Sequence, residues 1–288
     1  MTKTEPTTTI ESATVPGAPA PGAASTPGAA TTPGAVPAGV ASAADAPAAS
    51  KRSSDANWSK PVNRLTLGEV PASAMNLNVE GRRLVGPMQG FGQLWQKRYR
   101  VRLESADATP EQVIATWKRE FGSFWPKGNS FYGPITGIAP GEVALLNLSV
   151  PGGQTLSTGV MVIYADDESF TFMTPEGHML AAWITFSASH DGPTTVVQIE
   201  VLLRANDPMY EISMALFGHR QENAFWLATL HNLADRFGVD ATATMEQNCV
   251  DRKRQWKNAR NIRHNAAIRS AAWTATHPRH WFHRSGEA

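Results

Sequence analysis

The chain has 288 residues, of which 42% are hydrophobic and 18% charged, with a formal net charge of +1. Its single cysteine, Cys249, excludes an internal disulfide framework and a cysteine-based zinc site, and fits a reducing compartment, so a cytoplasmic location is expected. Nothing approaches 18 consecutive apolar residues, which excludes a membrane-spanning helix.

Residues 1–57 are dominated by Ala, Pro, Thr, Gly and Ser, with no aromatic residue before Trp58. Such a segment buries too little apolar surface to offset its ordering entropy and is expected to be disordered. It lacks the apolar core of a secretory signal. Residues 58–87 are interrupted by Pro61, Pro71, Gly81 and Pro87 and read as an extended lead-in. A folded domain is expected over 88–239. The remaining 240–288 carry nine Lys and Arg against four Asp and Glu, so the basic character sits in a C-terminal extension.

Within the domain a first strand is predicted over Phe91–Leu103. Trp95, Lys97, Tyr99, Val101 and Leu103 alternate with polar residues and form its inward set. A helix follows: Thr109 caps it, Pro110 takes the first position, Gln112 completes a capping box, and Pro126 and Gly128 lie beyond its end. Six strands come next, at Phe131–Ile138, Val143–Val150, Leu156–Tyr164, Ser169–Met173, Met179–Ser189 and Thr194–Arg204, separated by Pro-, Gly- and Asp-rich turns. Short connections make them antiparallel neighbours.

A long helix closes the domain, from the cap Asp207 and Pro208 to the stop at Gly238. About 30 residues at 1.5 Å each give a rod of about 45 Å. Met209, Ile212, Leu216, Trp226, Leu230, Leu233 and Phe237 recur at helical spacing as an apolar stripe, and His219 and Asn223 fall on it. The order strand, helix, six strands, helix defines an α+β domain.

That order, the Thr109-Pro110-Glu111 helix start and the closing helix after Asp207-Pro208 resemble the START-like, or helix-grip, superfamily (SRPBCC). The runs FYGPITGIAPGEVALLNLSVPGG (Phe131–Gly153) and YADDESFTFMTPEGHMLAAW (Tyr164–Trp183) resemble an uncharacterised bacterial branch of it. The resemblance covers residues 88–239 and implies a curved antiparallel sheet wrapped around the closing helix, with a cavity between them. The superfamily contains lipid-transfer domains, polyketide cyclases and plant ligand-binding proteins.

A hydrophobic or amphipathic small molecule, a lipid included, is therefore the expected partner. His219 and Asn223 are the candidate polar contacts, and Trp226, Trp183, Met161 and Leu216 the candidate wall. The alternative for His219 is a histidine satisfied within the core, with Gln198 or Glu200 of the sheet as partners. No cofactor, metal ligand or catalytic residue is assigned, because phosphate-loop, dinucleotide, GxSxG and HExxH motifs are all missing. An enzyme of cyclase, dehydratase or hydrolase type remains the alternative, with His219 or His178 as general base. His178 and Glu176 read as solvated turn residues. Residues 251–273 interleave Arg252, Lys253, Arg254, Lys257, Arg260, Arg263 and Arg269 with Trp256, Ile262, Ile268 and Trp273. That pattern predicts a basic amphipathic helix able to lie on an anionic membrane or bind nucleic acid, or to pack on its own domain. His277, His280 and His283 form a weak metal-spacing pattern beyond it.

Overall fold

A computed structural model of the chain describes residues 54–68, 77–104, 107–150 and 154–276. Expectations for residues 1–53, for the turn at 151–153 and for His277, His280 and His283 lie outside these residues.

The described residues form nine strands: β1 (Leu84–Val85), β2 (Leu94–Leu103), β3 (Ser130–Tyr132), β4 (Val143–Val150), β5 (Gln154–Ala165), β6 (Ser169–Pro175), β7 (Leu180–Asp191), β8 (Thr194–Ala205) and β9 (Thr244–Asp251). They form one sheet in the order β3-β4-β5-β6-β7-β8-β2-β9, with β1 paired to β6. The meander from β3 to β8 follows from its short turns, and Gly177 and Gly192 supply the positive φ that the β6–β7 and β7–β8 turns require (+91° and +60°). The predicted strand Phe131–Ile138 shrinks to Ser130–Tyr132, since Pro134 and Gly137 cannot extend a ladder.

Strand alternation sets what lies inside. Tyr99, Val101 and Leu103 of β2, Val197, Ile199, Val201 and Leu203 of β8, and Ala182, Ile184 and Phe186 of β7 are buried on one face. Over them lies α1 (Pro110–Glu120), started by the Thr109–Gln112 capping box. Trp117 of α1 meets Phe186 edge-on at 5.1 Å, and Phe121 at its end meets Phe172 at 5.3 Å. This aromatic cluster fills one half of the concave side.

The closing helix fills the other half, in three pieces. Asp207 accepts the Met209 and Tyr210 amides and starts α2 (Pro208–Ser213). A π-helical segment, Met214–Gly218, leads into α3 (His219–Arg236), and Gly238 at φ +72° ends the run. The predicted single stripe does not survive the π segment. A π turn holds one more residue than an α turn, so everything after it rotates relative to what precedes it. Trp226, Leu230 and Leu233 are buried, whereas Ile212 and Leu216 are 63% and 75% exposed.

The lead-in covers the opposite sheet face. There Leu65 and Val79 pack with Val143, Leu145 and Met161 in a separate buried cluster, and Trp58 meets Tyr164 at 4.7 Å.

The C-terminal extension is woven into the domain. β9 pairs along β2. A 3₁₀ strap, Trp256–His264, and α4 (Ala266–Thr276) follow in place of the predicted helix over 251–273. Three residues per turn put Asn258 and Asn261 on one line. Their amides donate to the carbonyls of Gly90 and Gln89, both at 2.9 Å, and Asn265 donates to Asp207 at 2.7 Å. Buried Arg204 binds Asp251 at 2.6 Å and the Lys253 carbonyl at 3.0 Å.

Candidate functional site

Between the inner face of β4–β7 and the closing helix lies a cavity of about 720 Å³, within the range of small-molecule sites. Phe121, Trp125, Phe131, Phe172, Phe225 and Trp226 give it aromatic walls, and Met179, Met209 and Met214 supply adaptable surface. A concavity of about 580 Å³ on the outer sheet face is polar instead, and its Arg102 and Asp191 neutralise each other at 2.6 Å. Of these two, the inner cavity is the candidate site because it pairs large apolar walls with a few buried polar groups.

Glu222 and His178 are among the polar residues that border it, together with Lys127, Asn129, Tyr210, Ser213 and Gln221. Glu222 belongs to a lock between α3 and β2. Lys97, fully buried, donates to Glu222 Oε2 and Asn223 Oδ1, both at 2.8 Å, and Tyr99 donates to the same Asn223 oxygen at 2.8 Å. Glu222 Oε1 is enclosed and makes no hydrogen bond. Burial pushes the Glu222 carboxyl upward, opposed by Lys97 and by the neighbouring Trp226. Burial, then the Glu222 charge, raises the Tyr99 phenol.

His178 is 4% exposed rather than solvated. Its backbone carbonyl accepts from Asn206 at 2.9 Å, which pins the turn, and the ring bends back on its own strand. The buried Leu180 N–H lies 2.9 Å from Nδ1. Burial lowers the imidazole to about 4, so it is neutral at physiological pH.

Of the six residues predicted from sequence, Trp226 lines the cavity, edge-on to Phe225 at 4.8 Å. Asn223 faces the sheet but is consumed by Lys97 and Tyr99. His219 meets Trp95 at 4.9 Å with the rings tilted 59° to each other, and its buried Nδ1 has no hydrogen-bond partner among the described residues; burial and then Lys97 lower it to about 4. The suggested partners Gln198 and Glu200 alternate to the outer face, where they meet Arg100 and Gln96. Leu216 points to solvent because of the π segment. Trp183 is 43% exposed on the outer face, since Ile184 takes the inward position, and Met161 lies in the outer cluster, since Val160 and Val162 point inward. Sequence did hold a pointer to Glu222: an inward Lys97 demands a counter-charge, and Glu222 is the acid midway along the closing helix.

Among the described residues no group of three or more His, Cys, Asp or Glu side chains is placed to hold a metal, and no helix is long and apolar enough to cross a membrane.

A β3–β8 meander closed by β2, crossed by α1 and gripping α3, decides the fold. The fold is an α+β helix grip. No family model matches the sequence, and no curated protein matches it. Solved structures with START-like folds are similar to it at low identity. A START superfamily protein from Mycobacterium smegmatis is 18% identical, over 51% of this chain and 98% of that one, with a TM-score of 0.36. The di-domain ARO/CYC StfQ from the steffimycin biosynthetic pathway is 10% identical, over 51% of this chain and 53% of that one, with a TM-score of 0.39.

Proposed function

We propose that this START-like domain binds a hydrophobic, ring-bearing small molecule between its sheet and α3, for transport or sequestration. The observation that carries the reading is the aromatic cavity of about 720 Å³ with isolated polar groups in its wall. Each 100 Å² of apolar ligand surface removed from water there contributes about 2.5 kcal/mol before the costs of association. The test is titration of the full chain with the apolar dye Nile red, beside native mass spectrometry of the purified protein for a carried molecule. Saturable one-to-one binding, lost in Ala228→Trp with the fold intact by circular dichroism, is the expected result. Dye uptake that Ala228→Trp leaves unchanged overturns the reading.

A second surface supports a second role. The strap turns Asn258 and Asn261 inward and leaves Arg252, Lys253, Lys257, Arg260 and Arg263 exposed, with Trp256 74% exposed among them. Interleaved basic and aromatic side chains suit an anionic bilayer, where each cation near the surface contributes about 1 kcal/mol. Salt-sensitive co-sedimentation with phosphatidylserine vesicles, weakened in Lys257→Glu/Arg260→Glu, is expected. Retention of nucleic acid in place of vesicles would reassign the surface.

A further inference from the structure

The cavity reading leaves open what its polar groups recognise, and His178 carries that question furthest. Three observations define the group. The residue is 4% exposed, and it borders the cavity. Its Nδ1 lies 2.9 Å from the Leu180 amide nitrogen and 3.0 Å from the Leu180 carbonyl oxygen, so one of the two contacts is the hydrogen bond. Among the described residues Nε2 makes no hydrogen bond, and, unlike Nδ1 of His219 and Oε1 of Glu222, it is not sealed off.

The tautomer follows from the backbone. A buried N–H is very rarely left unpaired, whereas a carbonyl, with two lone pairs, tolerates it better. Asn206 N–H donates to Met179 O, which makes Met179 and Asn206 the directly bonded pair. Leu180 is the next residue along β7, opposite Ala205, so its own N–H points away from β8 and toward the His178 ring. Nδ1 therefore accepts from Leu180, and the proton of the neutral ring sits on Nε2.

We infer that His178 Nε2–H is the donor that orients the bound molecule, by hydrogen bonding to a carbonyl oxygen on its ring system. The inference rests on the binding reading above. A neutral donor in an apolar wall selects a neutral acceptor. A carboxylate would lose its hydration without gaining a buried counter-charge, because the cation among the described cavity-lining residues, Lys127, is solvent-exposed. An ammonium finds no free acceptor at His178. Two bonds fix the donor's position, from Leu180 N–H to the ring and from Asn206 to the backbone, so little ordering is left for the ligand to induce. A ring-bearing ketone, quinone or ester meets these requirements; its hydrocarbon parent loses the contact.

The experiment uses two probes of matched ring size on the full chain: 6-propionyl-2-dimethylaminonaphthalene, which carries a ketone, and 2-dimethylaminonaphthalene, which does not. With wild type, the ketone's bound carbonyl stretch is expected at lower wavenumber than in hexane. His178→Phe is expected to weaken ketone binding about three- to tenfold, the scale of one net hydrogen bond. It should leave the ketone-free probe unchanged, and His178→Gln, which keeps an acceptor and a donor, should restore the ketone. A bound carbonyl stretch equal to that in hexane overturns the inference even if His178→Phe does not fold. Equal effects of His178→Phe on both probes overturn it too, while leaving the cavity reading standing. Failure of both probes to bind wild type removes the cavity reading and this inference together.

Discussion

Acid should unfold this protein through His178, and the size of the effect can be worked out. Its imidazole falls from the ordinary 6.5 to about 4 in the folded chain, because burial disfavours the charged ring. A depressed histidine means that the unfolded chain binds the extra proton between these two values. The stability the neutral ring contributes is thus complete above pH 6.5 and is lost as pH falls toward 4. The full loss is about 3 kcal/mol, and about 2 kcal/mol of it is gone by pH 5. For a domain of ordinary stability, about 5–15 kcal/mol, that is a large fraction. The assay is urea denaturation at pH 7.5, 6, 5 and 4.5 on wild type and His178→Gln. His219 and the carboxylates titrate in both proteins, so the difference between the two pH profiles isolates His178. Wild type should lose about 2 kcal/mol more than the variant between pH 7.5 and 5. Parallel profiles would refute the reasoning, because a buried neutral ring cannot titrate without affecting stability.

Two further outcomes are expected. Lys97→Met strands the Glu222 carboxylate in the interior and should cost about 3–5 kcal/mol, whereas Lys97→Met/Glu222→Leu should recover most of it. Glu222 is already raised by burial, so its folded form takes a proton before the unfolded one does, and the Lys97→Met defect should shrink as pH falls. A double variant no more stable than the single one, by urea denaturation, would remove the ion pair as the cause. Gly177→Ala should lower the melting temperature sharply: the residue sits at φ +91°, and a Cβ there collides with the His264 carbonyl oxygen. The φ strain alone is worth about 1–3 kcal/mol. A variant that melts within a degree of wild type would mean that the strap does not pack on the turn.

The sheet was largely legible because its strands obey period two and its turns carry Gly, Pro and Asp where φ demands them. The alternation of β2 alone separates Tyr99, Val101 and Leu103 from Arg98, Arg100 and Arg102, and the structure buries the first set. β9 was invisible for the same physical reason. As an edge strand it buries little, and Thr244–Asp251 shows no apolar period to read. The site was harder, since each misplacement traces to one step of rotation. Trp183 and Met161 each lie one residue from an inward position, a shift that moves a strand side chain to the other face. Leu216 needed knowledge of the π segment, which propensity does not encode. His178 escaped because a turn residue is expected in water, and its burial depends on α4 and the strap, more than 80 residues away, closing over Gly177.

The position of β2 has a consequence for how the chain is made. Arg98 pairs with Glu200 on one side and Glu246 on the other, so both flanks of this strand wait for partners made much later. At roughly 5–20 residues per second, the second partner emerges about 7–30 s after the strand itself. Until then a row of unmet amides and carbonyls faces solvent or a chaperone. The last described strand thus seals one of the first, and a chain that stopped before β9 would leave β2 as the open edge of its sheet.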